Sequence, residues 1–550
     1  MNKAKRYCIY FSEIYYHGGK RMNENLNGRF DFTARIFDRA ETCDLSDDYT
    51  LPDYMPAIGR VISCTATVAP PTLYLGGGNL EFAGGIRYRL LYESAEDSSL
   101  WCYELPGEYD FLIPADRLCD LPEDLSELSG ISDAKAENIS ARITAPRRLT
   151  IKSKIRLKSA LCCRSVFETK FRGDLNNTDA IRTLEGVAAC GIVIGGSSTP
   201  VVCHDKITFS EAGFTDNSNY RLISSRGNVM ISRMEKSTSS LDCRGELNAT
   251  IILSSENPED RPRKITRKIP FSVEIPFGDY HDSAANHIGL RASGVCPNIS
   301  MSTDEEGINL EATIIISAEA AATSRITYLK DIYSRKADCE TSRTSLVLPI
   351  PQACFNGNVT ISSSANLSDI GLDSGMRILD CIAHATPTIE KEITTDGKLI
   401  ISGKLKINVI ADNGAELIPS EFESPFKYVT EIQNCKNIHN PVIDVITAIS
   451  DIKCRIDGGK LTSDCELCFA ILLENEVSIN AISEVNFTSA EEQSISLSKI
   501  LICYPTLGET LWDVAKKYRS DAFEIAEKNS LSVTEYDDPN SLSNSKFIII

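Results

Sequence analysis

The sequence predicts a mostly β protein: three tandem antiparallel β-sandwich-like repeats, then a small C-terminal module of order βααβ. Three observations carry that expectation. Similar segments recur about 150 residues apart, a usual size for one domain. Within each segment apolar and polar residues alternate over short runs bounded by turn residues, the period-two signature of a half-buried strand. Apolar residues at helical spacing are nearly absent before residue 500, so the sheets must cover one another rather than be covered by helices.

The repeats are read in chain order. Arg60–Leu73, RVISCTATVAPPTL, matches Arg377–Ile389, RILDCIAHATPTI, with a single-residue gap, and a weaker copy lies near Asn228–Lys236. A hairpin pattern follows in each copy, at Asn79–Tyr92, Ser240–Leu253 and Lys398–Ile410. In the third copy the alternation runs up to Asn413-Gly414, a dipeptide that tolerates the left-handed backbone of a tight hairpin turn. Each pattern leads into a return strand with proline: Leu105-Pro106, Ile269-Pro270-Phe271 and Ser424-Pro425-Phe426. Proline has no amide hydrogen to give a ladder, so these strands suit sheet edges or bulges.

A last strand pair closes each unit. Ile139–Ile143 leads through Pro146-Arg147-Arg148 into Leu149–Leu161, and Gly289–Ser302 leads through Glu305-Glu306-Gly307 into Ile308–Ala318. Val442–Ile456 leads through Asp457-Gly458-Gly459 into Lys460–Leu473. In the second unit Ile308, Leu310, Ala312, Ile314 and Ile316 fall on one face. The expected domains are residues 1–170, 171–325 (the divergent copy), 326–492, and a module at 499–550.

Composition narrows the function. Against 57 Lys and Arg stand 76 Asp and Glu, a net charge of −19. Nucleic acid and anionic membranes require a basic face, and no sustained one occurs, so nucleic acid is not an expected partner. The basic opening of the chain meets only a short apolar stretch, Tyr7–Phe11, too short for a signal-peptide core. No run approaches the roughly 20 apolar residues that span a bilayer. A cytoplasmic location without membrane insertion is the expectation. Apart from the adjacent Cys162 and Cys163, the 19 cysteines are scattered singly and read as reduced, small buried hydrophobes. Cys465 and Cys468 form a Cys-x-x-Cys, but strand positions i and i+3 point to opposite faces, which defeats chelation.

Catalysis needs converging groups, and none are legible. The six histidines include no His-Glu-x-x-His, and His281 and His287 are spaced as in a loop. Gly76-Gly77-Gly78 and Gly84-Gly85 flank a strand without a P-loop Lys-Ser/Thr, and Gly458-Gly459-Lys460 enters a strand. They read as turn glycines. No enzyme activity, catalytic residue, metal site or cofactor is expected.

After residue 500 the pattern changes. Ile502-Cys503-Tyr504 reads as a strand, and Thr510 as the N-cap of a helix carrying Leu511, Val514, Ala515 and Tyr518. Phe523, Ile525 and Ala526 mark a second short helix that Asn529 ends, and Phe547–Ile550 a closing strand. Gly508-Glu509-Thr510-Leu511-Trp512, Val514-Ala515, Tyr518, Asn529 and Phe547-Ile548-Ile549 together resemble the LysM module over its whole length. Glu509 replaces the usual Asp, and Ser543-Asn544-Ser545 stands where Pro-Gly is typical.

Leu51-Pro52-Asp53-Tyr54-Met55-Pro56 leads into Arg60-Val61-Ile62, followed by Leu90-Leu91-Tyr92, Pro146-Arg147-Arg148-Leu149 and Ile269-Pro270-Phe271-Ser272. On these motifs the larger part, residues 30–490, resembles the SPOCS domain of endospore-forming Firmicutes. The resemblance is blurred in the first half of the second unit. Tandem SPOCS domains with a C-terminal LysM imply a non-enzymatic scaffold of spore-coat morphogenesis. The family works in the mother-cell cytoplasm at the forespore surface, and the implied partners are the coat-basement ATPase and other coat proteins.

The LysM resemblance also implies a binding groove between two loops. One comprises Thr506, Leu507, Gly508, Glu509, Thr510 and Leu511; the other Asn529, Ser530, Leu531 and Ser532. The groove suits either a protein segment or the N-acetyl groups of peptidoglycan or a chitin-like glycan. Trp512 is either core or an exposed platform.

Overall fold

The computed structural model describes residues 28–114, 117–118, 128–173, 180–212, 220–237, 239–255, 261–276, 286–386, 388–432, 441–489, 501–531, 535–543 and 545–550. It is mostly β, with several antiparallel sheets and two short α-helices. The alternation read from the sequence is the cause. Along Arg148–Glu168, for example, Leu149, Ile151, Ile155 and Leu157 are buried while Lys152 is exposed and Lys154 partly so. Each such side chain contributes on the order of 1.5–3 kcal/mol when moved out of water.

In residues 29–168, Arg148–Glu168 is flanked by Arg29–Thr50 on one side and Ser132–Ala145 on the other. The facing sheet centres on Asn79–Ser94, between Ile58–Val68 with Thr72–Gly76 and the return strand Leu100–Ile113. Leu149, Ile151 and Leu157 of one sheet share a core with Leu80, Phe82 and Leu90 of the other.

The same strand order recurs twice. Gly307–Ser334 lies between Ile181–Thr208 and Asn286–Thr303, facing Ser240–Ser255 between Tyr220–Lys236 and Arg263–Pro276. Lys460–Ser489 lies between Ala337–Asn366 and Pro441–Asp457. It faces Lys398–Asp412, which pairs with Arg377–Ala385, Glu390–Ile393 and Leu417–Glu431. The three segments read as hairpin patterns are thus the central strands of three sheets, and the proline-bearing return strands lie beside them at the edge. Ile308, Leu310, Ala312, Ile314 and Ile316 are all at most 2% exposed.

Two sequence boundaries meet the structure differently. Residue 325 lies inside the continuous strand Gly307–Ser334, whose middle residues 316–322 are buried without a break, so no turn interrupts it. Lys170–Gly173, at the expected first boundary, pairs in parallel with Glu484–Phe487 of the third segment.

The three two-sheet segments contact one another in a cycle. Arg60 Nη2 donates to the Leu417 carbonyl at 3.0 Å, Arg221 Nη1 to that of Leu100 at 3.2 Å, and Arg377 Nη2 to that of Pro262 at 2.9 Å. Each arginine lies two residues before a buried aliphatic, and Ile62, Ile223 and Leu379 meet in one cluster. So the second unit carries its Arg-x-Ile at Arg221, seven residues before the weak sequence match near Asn228–Lys236 begins. A second cluster, with Phe30, Phe32, Cys190, Ile326, Leu348 and Ile479, also draws on all three.

Buried charges sit at the same junction. Arg291, with no exposed side-chain surface, pairs with Glu319 at 2.5 Å and Asp444 at 2.6 Å. Lys158 joins Asp444, and Arg35 pairs with Glu474. First, second and third segments are therefore linked through one ionic network.

Candidate binding surface of the C-terminal module

Residues 501–550 place Ile502–Cys503 antiparallel to Ile548–Ile549, with helices Leu511–Lys517 (α1) and Ala522–Lys528 (α2) between them in sequence. Thr510 caps α1 as its sequence suggests: its hydroxyl accepts from the Asp513 amide at 3.1 Å, and the Asp513 carboxylate accepts from the Thr510 amide at 3.0 Å. Asp521 caps α2 through the amides of Phe523 and Glu524.

The first loop is organised by Glu509. Its carboxylate accepts from the Thr506 amide at 2.8 Å and hydroxyl at 3.1 Å. Those bonds, the amide first, hold the Glu509 carboxyl below the usual range against the opposing effect of burial. Gly508 takes φ +86° at the tip, a backbone region that strains any residue with a Cβ. The second loop is fastened by Asn529. Its amide nitrogen donates to the carbonyls of Ile525 and Ile549, and its oxygen accepts from the Ile549 amide at 2.8 Å.

Thr506, Leu507, Gly508 and Ser530 are exposed, Glu509 and Leu531 are half-buried, and Thr510 and Leu511 are buried. Ser532 lies outside the described residues. The polar groups of Glu509, Thr510 and Asn529 therefore face into the module's own backbone. The module also exposes apolar side chains: Leu507 is fully exposed, and Ile502, Tyr504 and Phe547 each expose half or more of their surface. Cys503 and Ile548, the neighbours of those strand residues, point into the core.

No protein-family model, curated protein or solved structure matches this chain.

Trp512 is core rather than an exposed platform, and the core it joins extends beyond the module. It is 5% exposed, but its ring meets Tyr333 edge-on at 4.9 Å, outside the module. Its indole N–H donates to Asp331 Oδ2 at 2.8 Å. Lys516 Nζ reaches both Asp331 oxygens, at 2.8 and 2.7 Å, and the Tyr333 hydroxyl donates to the Ser520 carbonyl at 2.7 Å. Ion pairs Arg182–Asp521, Lys330–Asp537, Arg519–Asp338 and Arg335–Glu524 surround this contact. Burial alone would raise the Asp331 carboxyl; the bonds from Lys516 and Trp512 override it and hold it below the usual range. No local sequence signal marks Asp331 or Tyr333 as the seat of the module.

Among the described residues no group of three or more His, Cys, Asp or Glu could hold a metal ion, and no helix is long and apolar enough to cross a membrane. The cysteines of the described residues are free thiols. Cys465 is buried in the core of the third segment, and Cys468 is half-buried.

Proposed function

We propose that this chain is a non-enzymatic scaffold of endospore-coat assembly, built from three SPOCS-like β repeats and a LysM-like module. The recurrence of one strand order in residues 29–168, 181–334 and 337–489 supports reading them as copies of one repeat. The order strand, α1, α2, strand supports the LysM reading. The proposed partner is the coat-basement ATPase, met at the forespore surface on the mother-cell side.

One observation carries the choice of a protein ligand over a glycan. Thr506, Glu509, Thr510 and Asn529 of the groove are engaged within the module, while Leu507, Tyr504 and Phe547 project outward. An N-acetyl glycan is gripped by free donors and acceptors, whereas exposed aliphatic and aromatic groups suit an apolar protein surface.

The test pairs two ligands with the full chain and its Leu507→Asp variant. The purified coat-basement ATPase is expected to bind the full chain and to lose at least tenfold in affinity with the variant. Saturable binding to purified peptidoglycan, competed by soluble glycan and without ATPase binding, would replace this reading with the glycan one.

A further inference from the structure

Two thiols meet across the sheets of the third segment. Cys381 lies on Arg377–Ala385 and Cys454 on Pro441–Asp457, an edge strand of the facing sheet. These two strands approach within 8 Å, Cα to Cα. The Cys381 thiol reaches the Ile452 carbonyl at 3.8 Å. Cys454 is two residues further on, so it projects from the same face of its strand as buried Ile452. Each thiol is the largest influence on the other's acidity, and both belong to the core of that segment.

The other segments show that folding does not require this pair. Ser225 occupies the place of Cys381 in the second segment, one residue after Ser224 opposite Ile252, as Cys381 follows Asp380 opposite Ile410. Its hydroxyl donates to the Ile299 carbonyl at 3.4 Å, the counterpart of the Cys381 bond. Cys64 takes the place in the first segment. Opposite, where Cys454 pairs with Ser463, stand Ala141 paired with Ile151 and Met301 paired with Leu310. The facing dithiol is thus peculiar to the third segment.

We propose that Cys381 and Cys454 form an oxidisable dithiol, which hydrogen peroxide converts to a disulfide joining the two sheets of the third segment. The Cys381 sulfur attacks one peroxide oxygen, the O–O bond breaks, and hydroxide leaves, giving a sulfenic acid. The Cys454 sulfur then attacks the Cys381 sulfur; the S–S bond forms as the S–O bond breaks. The two thiol protons end on the departing oxygens, so two thiols lose two electrons and one peroxide becomes two waters. The surroundings favour Cys381 as the first nucleophile. Cys454 is the largest influence, and with the charges of Lys264 and Arg226 it draws the Cys381 thiol below its ordinary value against burial.

The experiment treats the full chain with hydrogen peroxide, alkylates the remaining thiols, and maps non-reduced peptides by mass spectrometry. A Cys381–Cys454 cross-linked peptide is expected, reversed by dithiothreitol and absent from Cys381→Ser and Cys454→Ala. Recovery of both residues in alkylated form while other cysteines are oxidised would overturn the proposal. So would Cys381 as a sulfinic acid without the cross-link.

Discussion

Trp512 and Asp331 are 181 residues apart in sequence and share a hydrogen bond of 2.8 Å. The same carboxylate receives Lys516 and Arg343, so one acidic side chain gathers three donors from both sides of the contact. The C-terminal module is therefore seated on the end of Gly307–Ser334 by a buried aromatic contact ringed with charge. Seating the α1 face in this way leaves the Leu507 loop and the outer face of the two-stranded sheet exposed.

Removing the hub should loosen the module without unfolding it. Asp331→Ala strands the indole N–H and the Lys516 ammonium, an expected loss of about 1–3 kcal/mol at the contact. Hydrogen exchange at amides of α1 should rise, and Trp512 fluorescence should shift red. A Trp101→Phe background makes the second readout specific, since the chain has only 2 Trp. Unchanged exchange and emission would show that Asp331 does not hold the module.

Acid should do the same reversibly. The Asp331 and Asp521 carboxyls are both held below their usual range, where burial opposes and the bonds to Lys516 and Arg182 prevail. A depressed folded-state value contributes stability that is present above the unfolded value, near 3.9, and lost as pH falls through the folded one. Seating should hold at neutral pH and fail below about pH 4. A fluorescence titration from neutral pH downward checks this; Asp331→Asn should remove most of the transition.

The buried junction should tolerate loss of a single partner badly. Arg291 faces Glu319 and Asp444 with no exposed surface of its own. Arg291→Leu leaves two buried carboxylates without their common counter-ion, an expected cost of about 3–5 kcal/mol. The triple replacement with Glu319→Leu and Asp444→Leu should recover much of that loss, because the three most buried charges then leave together and Lys158, partly exposed, keeps the Val445 carbonyl. Urea denaturation of the single and triple variants measures the difference. Equal midpoints for both would mean that the network is not what couples the segments.

What the sequence disclosed follows from the range of each cause. The central strands beginning at Asn79, Ser240 and Lys398 were legible because their alternation is local. The caps of Thr510 and Asp521 depend on residues three positions away, and Thr510 could be read directly. The Arg221-x-Ile223 start of the second unit carries no local signal. Its partners, the Leu100 carbonyl and the cluster of Ile62 and Leu379, lie in other segments and leave no trace in its flanking residues. The sequence allows Trp512 to be core or platform for the same reason: the ring that covers it belongs to Tyr333. In the proposed groove the two loops follow from the sequence pattern, but the orientation of their side chains does not. That Asn529 turns inward depends on the Ile549 backbone, which only the closed fold brings within reach.

Glu474 gives the opposite pH sign to Asp331. Burial is the largest influence on it, and with the nearby carboxylates Glu319 and Asp444 it outweighs Arg35 and Arg291, pushing the carboxyl up to about 7. A raised folded-state value means the folded protein holds this proton more tightly than the unfolded chain. The contribution is therefore complete below the unfolded value of about 4.3 and is lost as pH rises towards neutrality. Thermal midpoints measured from pH 4.5 to 8 should fall through that window by an amount worth on the order of a few kcal/mol. Glu474→Gln should flatten the profile while leaving the acid-side loss of module seating intact, since that depends on Asp331. A profile unchanged by Glu474→Gln would place the proton elsewhere in the junction, with Glu319 the next carboxyl to replace.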